Sequence, residues 1–415
     1  MSGLSRRDAG RRGDASRDLS RRGFLARCGG CAAGLALGGG LRGWLHGSPA
    51  AAAAAANATV DEWSRSACDL CGLAEPVFVG ARDGRIAAVK GIGAARTGFG
   101  RLCPRARALA AAAVTEDRAV QPLLRRDPAT KGSLEGLEPV GWDEAIAFVA
   151  ERLADVRARL GPGCTAMLAS DAETCETYVR LARLARAGLG TDHVDTPARL
   201  DALHAFDACR DFFGVAANPA SVEDVDAADL LMLVGGDVAE SHPALFTRVL
   251  DARRTGRARV VLIDSRKTAA AGVADLHLRP APGRELALLR GLASGDGRGP
   301  DADALRAEWD AAERAMTLVG LGPLAAPTGT AVARTVARLH RTEEQWGGSG
   351  RGPLFLPRGA GATAAVAAGA RPGALPFGRR LTDDADRRVT AAAWGVDPAA
   401  LPDAPGLPLL RWPAA

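Results

Sequence analysis

Runs of apolar residues with sharp polar ends mark the central part of the chain as a buried sheet. Leu230–Val234 is a continuous apolar run closed by Gly235-Gly236, and Val260–Asp264 is a second run of this kind. Strands that are buried on both faces carry such runs instead of an alternating pattern. A helical pattern at His242–Arg254 separates the two runs and ends at Gly256. Strand, helix and strand at this spacing predict a parallel sheet with right-handed crossovers.

Helical periodicity is clearest between Asp143 and Leu160, and Gly161-Pro162-Gly163 then stops the helix. The other predicted elements of this part of the chain are a strand at Thr165–Ser170, a helix at Glu176–Ala187, strands at Thr317–Gly320 and Leu354–Leu356, and a helix at Ala331–His340. We therefore expect an α/β fold with doubly wound, Rossmann-like parallel sheets.

A small β subdomain is expected at residues 57–110, ahead of the α/β region. Within it, Pro76–Val89 predicts two short strands around the turn Arg82–Arg85. The α/β domain then covers residues 111–293, and a shorter second α/β segment covers residues 294–415.

The shorter segment begins with a linker and ends in a tail. Residues 294–305 are rich in Gly and Asp, which favours a linker over an element. The tail after Trp394 is interrupted by prolines and has little periodicity.

The composition is that of an ordinary soluble globular protein. The chain has 415 residues, of which 47% are hydrophobic and 24% are charged. This length is too great for one core and suggests two or three domains. Much of the net charge of +5 comes from arginines near the start of the chain, so nucleic-acid binding is not expected.

The basic start of the chain resembles a twin-arginine signal, which defines residues 1–56 as a signal peptide and linker. Ser20–Leu25 carries the arginine pair and is followed by a weakly apolar stretch at Ala32–Leu45 and a small-residue tract at Ala50–Ala56. The apolar stretch is too short to span a bilayer. We predict export to the periplasm, with a disordered basic tail as the alternative.

Three cysteines and one glutamate form the most specific chemical pattern. Cys68 and Cys71 have Cys-x2-Cys spacing, and Cys103 follows further along the chain. Iron in iron–sulfur clusters takes soft thiolate ligands, so the pattern predicts a cluster site. Glu75 stands where the next cysteine of a Cys-x2-Cys-x3-Cys run would be. The site therefore has a carboxylate ligand, or holds a three-iron cluster, or holds none.

Disulfide formation is the alternative for these three cysteines in an oxidising compartment. The remaining cysteines of the exported part are expected to be buried free thiols. They are Cys164, Cys175 and Cys209.

An ordered series of motifs resembles the molybdopterin oxidoreductases, the family of formate dehydrogenases and of nitrate and dimethyl sulfoxide reductases. Each motif is weak alone, but their order along roughly residues 61 to 408 is specific. The series is Cys68-x2-Cys71, Asp83–Arg85, Gly100–Arg105, Gly141–Ala145, Gly190–Arg199, Ser221–Asp229, Glu240–Pro243, Ile263–Thr268 and Ala274–Pro280.

The resemblance implies a molybdopterin guanine dinucleotide that carries molybdenum or tungsten. Backbone N–H groups after Gly235-Gly236 would suit its diphosphate, and the motif that contains His242 would contribute to the same site. Asp264 and Arg266 would contact guanosine or phosphate, with a turn cap as the alternative role of Asp264. Arg105 would lie between cluster and pterin, or else be a solvated surface arginine.

The metal ligand implied by the resemblance is Asp201, shortly after the stretch Val194–Arg199; an exposed helix aspartate is the alternative. Arg358 falls where formate dehydrogenases carry a substrate-orienting arginine. Their histidine beside the metal ligand is Ala202 here, which argues against formate as the substrate.

Three departures from the family pattern bear on cofactor binding. Glu75 replaces a cluster cysteine. Asp237 replaces the asparagine of the usual phosphate loop and places a negative charge near a diphosphate. The asparagine and glycine expected after Arg358-Gly359 are replaced within Ala360–Ala365.

Two functions follow as hypotheses. In the first, the chain is an electron-transfer or catalytic subunit that works with electron-transfer subunits or a subunit that supplies the C-terminal β-barrel, since the chain stops at Ala415 before that barrel. Membrane contact would then come only through a partner. In the second, the chain is a non-catalytic scaffold or assembly subunit that keeps the degenerate fold.

Overall fold

The computed structural model describes residues 60–115 and 117–414. The predicted signal segment at residues 1–56 lies outside the described residues. None of the helices in the described ranges is long and apolar enough to cross a membrane.

Fourteen strands occur in the described residues. They are β1 Glu62–Ala67, β2 Pro76–Arg82, β3 Arg85–Gly91, β4 Leu123–Arg125, β5 Leu137–Pro139, β6 Met167–Leu168, β7 Val194–Asp195, β8 Leu230–Val234, β9 Arg259–Ile263, β10 Leu276–Leu278, β11 Ala315–Val319, β12 Gly352–Phe355, β13 Ala374–Leu375 and β14 Arg379–Arg380.

Thirteen α-helices accompany these strands in the described part of the chain. They are α1 Pro104–Arg107, α2 Leu109–Ala113, α3 Trp142–Leu160, α4 Cys175–Arg183, α5 Ala202–Phe213, α6 Val238–Ser241, α7 Pro243–Arg254, α8 Glu285–Ser294, α9 Pro300–Asp310, α10 Leu321–Ala325, α11 Gly329–Thr342, α12 Ala362–Ala367 and α13 Asp384–Trp394.

A parallel five-stranded sheet forms the centre of the fold, in the order β10-β9-β8-β11-β12. In β8, Met232 pairs with Val261 on one side and with Thr317 on the other. Every residue of β8 and β11 is buried, as their apolar sequences predicted. The predicted α/β class with a parallel sheet is thus confirmed. The sheet joins strands from both sides of the predicted domain boundary at residue 293.

Helices cover both faces of this sheet because alternate strand residues point to opposite sides. Leu230, Met232 and Val234 share one core with helices α5, α8, α9 and α11. Leu231 and Leu233 share the other core with α7. The chain order reverses direction between β8 and β11, where ligands bind in doubly wound sheets.

A separate antiparallel sheet, β1-β2-β3, lies ahead of the α/β region. The hairpin between β2 and β3 turns at Asp83 and Gly84, whose φ angles are +50° and +69°. Two positive φ angles in succession are typical of the type I′ turn that suits twisted hairpins. The predicted pair of strands around Arg82–Arg85 is therefore confirmed.

Two local expectations are wrong. The predicted linker at residues 294–305 contains the start of α9, because Pro300 occupies the first turn and Asp301 and Asp303 favour a helix N-terminus. The predicted strand Thr165–Ser170 shrinks to Met167–Leu168, which pairs only with the two-residue strand β7.

Helix α3 forms as predicted, but its apolar stripe is not in a core. None of its 19 residues, all of which are described, is buried. Ile146 and Val149 keep 61% and 54% of their surface exposed.

Candidate functional site

The first two cysteines lie in the loop between β1 and β2, and the loop is closed by its own backbone. The N–H of Cys68 donates to the carbonyl oxygen of Glu75 at 2.8 Å, and the N–H of Ala74 donates to that of Cys71 at 3.1 Å. Ala74 has a φ of +48°, which lets the chain turn back towards β2. The loop therefore fixes Cys68, Cys71 and Glu75 relative to one another.

Cys103 joins them from the start of helix α1. Its Sγ accepts a hydrogen bond from the N–H of Ala106 at 3.4 Å, so it caps the helix. Burial raises the pKa of the Cys68 thiol, and the charges of Cys71 and Cys103 raise it further. The three predicted cluster cysteines thus lie within electrostatic range of one another.

All six cysteines of the described residues are free thiols, so the structure contains no disulfide among them. Cys209 is buried, as predicted. Cys164 and Cys175 are exposed, and the prediction that they are buried is wrong. Cys164 ends a surface turn, and Cys175 starts helix α4 on its solvent side.

Glu75 is a buried carboxylate, with 5% of its surface exposed. Neither of its oxygens has a hydrogen-bond partner of good geometry among the described residues. Burial raises the pKa of the Glu75 carboxyl, against the opposing influence of Thr97, the Gly98 backbone and Arg248. The same carboxylate contributes to raising the pKa of the Cys71 thiol, after burial as the main cause.

These residues fit an iron–sulfur cluster better than a single ion. In the described ranges, no three His, Cys, Asp or Glu side chains are close enough to hold one metal ion. An iron–sulfur cluster does not require three ligands around one metal ion, because each thiolate binds a different iron. The orphaned Glu75 carboxylate, close enough to Cys71 to raise the pKa of its thiol, is the observation that favours such a group.

Arg105 connects the cysteine region to the central α/β region. Its guanidinium donates to the carbonyl oxygen of Ser241 at 2.6 Å, and its charge lowers the pKa of Cys71 against the larger effect of burial. The side chain is exposed, as the alternative of a surface arginine expects, and it also makes this hydrogen bond across the two regions.

His242 continues this connection inside the protein. It is 1% exposed, and burial lowers its pKa to about 4, so the imidazole is neutral at neutral pH. Its Nε2 lies 3.0 Å from the carbonyl oxygen of Pro357, which only accepts, so Nε2 carries the proton. Nδ1 is then an acceptor, and it lies 3.0 Å from the hydroxyl oxygen of Ser241, which also lies 2.9 Å from the carbonyl oxygen of Asp237.

The loop after β12 is where the cysteine region and the predicted metal ligand meet. A Cβ added at Gly72 would lie 2.2 Å from the Pro357 carbonyl oxygen, so the cysteine loop packs directly on this loop. The next residue, Arg358, donates its backbone N–H to Oδ2 of Asp201 at 3.1 Å. The structure therefore brings together Asp201 and Arg358.

Asp201 is 4% exposed, so the alternative of an exposed helix aspartate is wrong. Its Oδ1 accepts from the N–H of Ala202 at 2.5 Å. Burial raises the pKa of the Asp201 carboxyl, while its hydrogen bond from Arg358 lowers it. The guanidinium of Arg358 is exposed beside it.

Asp171 is a neighbour that the sequence analysis missed. Its charge contributes to the raised pKa of Asp201, and its carbonyl oxygen accepts from the N–H of Gly361 at 2.7 Å. It directly follows the predicted strand Thr165–Ser170, and polar residues at the carboxyl ends of parallel strands are site candidates. The position of Asp171 at the end of this predicted strand is therefore the sequence feature that could have identified it.

Gly235 and Gly236 lie at the switch point of the sheet, with φ angles of +60° and +71°. A Cβ on Gly236 would lie 2.6 Å from the backbone nitrogen of Leu321, so the loops after β8 and β11 touch through their backbones. Oδ1 of Asp237 is buried and has no partner among the described residues. The glycines thus permit loop packing, and the unpaired carboxylate oxygen does not fit an adjacent diphosphate.

Asp264 and Arg266 stand at the carboxyl end of β9. Oδ1 of Asp264 accepts from the N–H of Arg266 at 2.8 Å, so Asp264 does cap the turn. Gly235 is close by, because its N–H donates to the carbonyl oxygen of Ile263 at 2.9 Å. The Arg266 side chain is 67% exposed, and its Nε lies 3.7 Å from Oδ1 of Asp264.

A family model described as "Molybdopterin oxidoreductase" matches residues 118–389 of the chain. The chain is 30% identical over 327 residues to a nitrate reductase of Klebsiella oxytoca, a match that covers 71% of the chain and 36% of the relative. It is 31% identical over 243 residues to a periplasmic nitrate reductase of Desulfovibrio desulfuricans, covering 58% of the chain and 31% of the relative.

The chain thus spans about a third of the length of these two relatives. Among solved structures, the acetylene hydratase of Pelobacter acetylenicus is similar in fold, with a TM-score of 0.54 at 17% identity. The match covers 67% of the chain and 42% of that structure. This likeness concerns the fold alone.

Proposed function

Because the chain belongs to the molybdopterin oxidoreductase family, we propose that it is an electron-transfer or catalytic subunit of a molybdopterin-dependent oxidoreductase complex. Cys68, Cys71 and Cys103 would hold an iron–sulfur cluster, and Asp201 would bind the molybdenum or tungsten of a pterin guanine dinucleotide. That metal would supply the two-electron chemistry at the substrate.

The loop Pro357-Arg358 is the observation that carries this proposal. On one side it touches the cysteine loop at Gly72 and accepts a hydrogen bond from His242. On the other side it donates to Asp201. A cluster and a metal held by these residues would be separated by only a short stretch of packed protein.

Other residues would hold the cofactor in place. Asp264 has a second carboxylate oxygen beyond the one that caps its turn, and Arg266 is exposed beside it. These groups suit the donors of a guanine base and a phosphate. The exposed guanidinium of Arg358 beside Asp201 suits an anionic substrate.

Metal analysis of the full chain tests the proposal. The chain would be matured in a host that makes both the pterin cofactor and iron–sulfur clusters, and then assayed for iron, molybdenum and tungsten. We expect iron together with molybdenum or tungsten, and iron should be lost in a variant with Cys68, Cys71 and Cys103 changed to Ser. Absence of all three metals would overturn the proposal.

A second function, a non-catalytic scaffold or assembly subunit, is favoured by Asp237. A buried, unpaired carboxylate oxygen at the diphosphate position opposes binding of the cofactor. An Asp237→Asn variant that gained molybdenum absent from the wild type would support the scaffold function. Glu240→Gln is the matched control, because Glu240 is exposed in the adjacent helix α6.

Substrate assays follow if molybdenum or tungsten is bound. Reduced-dye oxidation with nitrate and dye reduction with formate are the two assays that the family suggests. We expect nitrate to be the better substrate, because the relatives reported above are named nitrate reductases and Ala202 replaces the histidine of formate dehydrogenases.

Export by the twin-arginine route is the proposed localisation, together with partners that complete the electron path in the periplasm. A relative is named a periplasmic nitrate reductase. Replacement of Arg21 and Arg22 by Lys should keep the protein in the cytoplasmic fraction. The same replacement at the neighbouring pair Arg11 and Arg12 is the control and should leave export intact.

A further inference from the structure

The proposed cluster site has three thiols, whereas a four-iron cluster has four corners to be bound. The residue at the fourth sequence position, Glu75, is a carboxylate. Its backbone is fixed to the site, because its carbonyl oxygen accepts the N–H of Cys68 at 2.8 Å. Its placement is therefore set by the same loop that places Cys68 and Cys71.

The carboxylate of Glu75 is buried with little compensation, because burial outweighs the opposing influence of Thr97, the Gly98 backbone and Arg248. Both oxygens are shielded from solvent and lack a hydrogen-bond partner of good geometry among residues 60–115 and 117–414. The hydroxyl of Thr97, in the loop that faces it, is also buried and unpaired. An uncompensated buried carboxylate costs several kcal/mol, so native structures pair such groups or bind them to metals.

Arg248, the buried cation whose charge acts on Glu75, already has other partners. Its Nε donates to the carbonyl oxygen of Thr97 at 2.5 Å, and its Nη1 donates to Oδ2 of Asp226 at 2.6 Å. Its Nη2 donates to the carbonyl oxygen of Arg96. Arg248 therefore fixes the loop that faces Glu75 and forms no ion pair with the glutamate itself.

That loop is shaped around the carboxylate. A Cβ added at Gly98 would lie 2.7 Å from Oε1 and 2.8 Å from Oε2 of Glu75. The absence of a side chain at Gly98 leaves room for a carboxylate at this position. The loop thus packs against the Glu75 carboxylate, and neither oxygen has a hydrogen-bond partner of good geometry among the described residues.

We propose that Glu75 is the fourth protein ligand of a four-iron cluster whose other three irons are bound by Cys68, Cys71 and Cys103. This inference rests on the proposed function, because it requires the cysteines to bind a cluster. The iron bound by Glu75 is held by a hard oxygen donor and is therefore the most weakly bound of the four.

This arrangement predicts that oxidation removes one particular iron, the one bound by Glu75. One electron passes to ferricyanide, the bond between Glu75 and its iron breaks, and that iron leaves as Fe²⁺. In this step a four-iron cluster of charge +2 gives up one electron and one Fe²⁺, and a three-iron cluster of charge +1 remains. The three cysteine–iron bonds remain.

Anaerobic reconstitution of the full chain with iron and sulfide tests the inference. Iron and sulfide per chain and the electron paramagnetic resonance spectrum are measured before and after ferricyanide. We expect wild type to hold about four irons and to lose about one on oxidation, whereas Glu75→Cys keeps all of them. Glu75→Gln, which preserves shape, should hold about three irons from the start.

Asp69→Asn is the matched control, since Asp69 is an exposed acid next to Cys68 outside the ligand spacing. It should behave as wild type. Equal iron contents and spectra for wild type and Glu75→Gln would overturn the role of Glu75 and leave the proposed function standing. Failure of every variant, including Glu75→Cys, to bind iron would overturn both. A cooperative urea unfolding transition is measured for each variant to establish that the variant is folded.

Discussion

The guanidinium of Arg105 donates a hydrogen bond to the carbonyl oxygen of Ser241 at 2.6 Å, across 136 residues of sequence. Arg105 lies in the helix that Cys103 caps, and Ser241 directly precedes the buried His242. One arginine thus lies between the cysteines and the loop that leads to Asp201. Its charge lowers the pKa of the Cys71 thiol.

Replacement of Arg105 by Gln should slow the alkylation of Cys71. Burial raises the pKa of this thiol and the charge of Arg105 lowers it, so loss of the charge leaves less thiolate at mildly alkaline pH. In the reduced, iron-free chain we expect the rate to fall by a factor on the order of two to five. Peptide mass spectrometry separates Cys71 from the exposed Cys164 and Cys175.

Arg107→Gln is the control for that experiment, because Arg107 is in the same short helix. It should leave the alkylation rate of Cys71 near that of the wild type. Equal slowing in the two variants would mean that Arg105 has no specific effect on the thiol.

Gly236→Ala should destabilise the fold strongly. Gly236 has a φ of +71°, and an added Cβ would lie 2.6 Å from the Leu321 nitrogen and 2.9 Å from the Gly320 carbonyl carbon. Backbone strain and overpacking together predict a loss of about 2–5 kcal/mol in the free energy of unfolding. Urea denaturation measures it.

Gly322→Ala is the matched control on the facing loop. Its Cβ would come no closer than 3.6 Å to Gly236, and it lies in helix α10. We expect a change within about 0.5 kcal/mol. Similar losses in both variants would show that the contact between the two loops is not what requires glycine at position 236.

The central sheet could be predicted from sequence because its signal is local. Leu230–Val234 and Val260–Asp264 are apolar at every or nearly every position, and such runs are buried whatever their neighbours are. Helix α9 was missed because glycines precede Pro300, and its buried Leu305 and Trp309 contact residues distant in sequence.

The site could be predicted only in part. Asp201 and Arg358 came from the resemblance, and their hydrogen bond joins segments 157 residues apart. Arg248 and Thr97 act on the cysteine region through contacts that no local pattern encodes. Whether a buried carboxylate such as Glu75 is paired likewise depends on loops that only the tertiary structure brings together.

The buried ion pair between Arg186 and Asp192 should be critical for stability. Both side chains are almost fully buried, and Nε of Arg186 lies 2.6 Å from Oδ1 of Asp192. Oδ2 of Asp192 also accepts the N–H groups of Gly373 and Gly406, so the pair ties distant loops together. Arg186→Met leaves a buried carboxylate without its counter-charge and should lower the free energy of unfolding in urea by about 3–5 kcal/mol.

The exposed pair between Arg159 and Asp155 provides the comparison. Their side chains are 61% and 52% exposed, and they lie one turn apart in α3. Arg159→Met should change the free energy of unfolding by no more than about 0.5 kcal/mol. A comparable loss in the two variants would contradict the importance of burial.

His340 should make the protein less stable as the pH falls. It is fully buried between Gln345 and Thr317, with Nδ1 at 2.7 Å from the Gln345 carbonyl oxygen and Nε2 at 2.8 Å from the Thr317 hydroxyl. Burial lowers its pKa to about 4. The unfolded chain takes up a proton near the ordinary histidine pKa of about 6.5, whereas the folded chain does so only near pH 4.

Stability from this group is therefore complete above about pH 6.5 and is lost as the pH falls towards 4. His340→Gln does not titrate, so its stability deficit relative to wild type should shrink by about 2 kcal/mol between about pH 7 and about pH 5. The difference between the two proteins cancels His242, Glu75 and Asp201, which titrate in both. Urea denaturation at each pH measures the deficit, and a deficit that stays constant would show that His340 takes up its proton at the same pH in the folded and the unfolded chain.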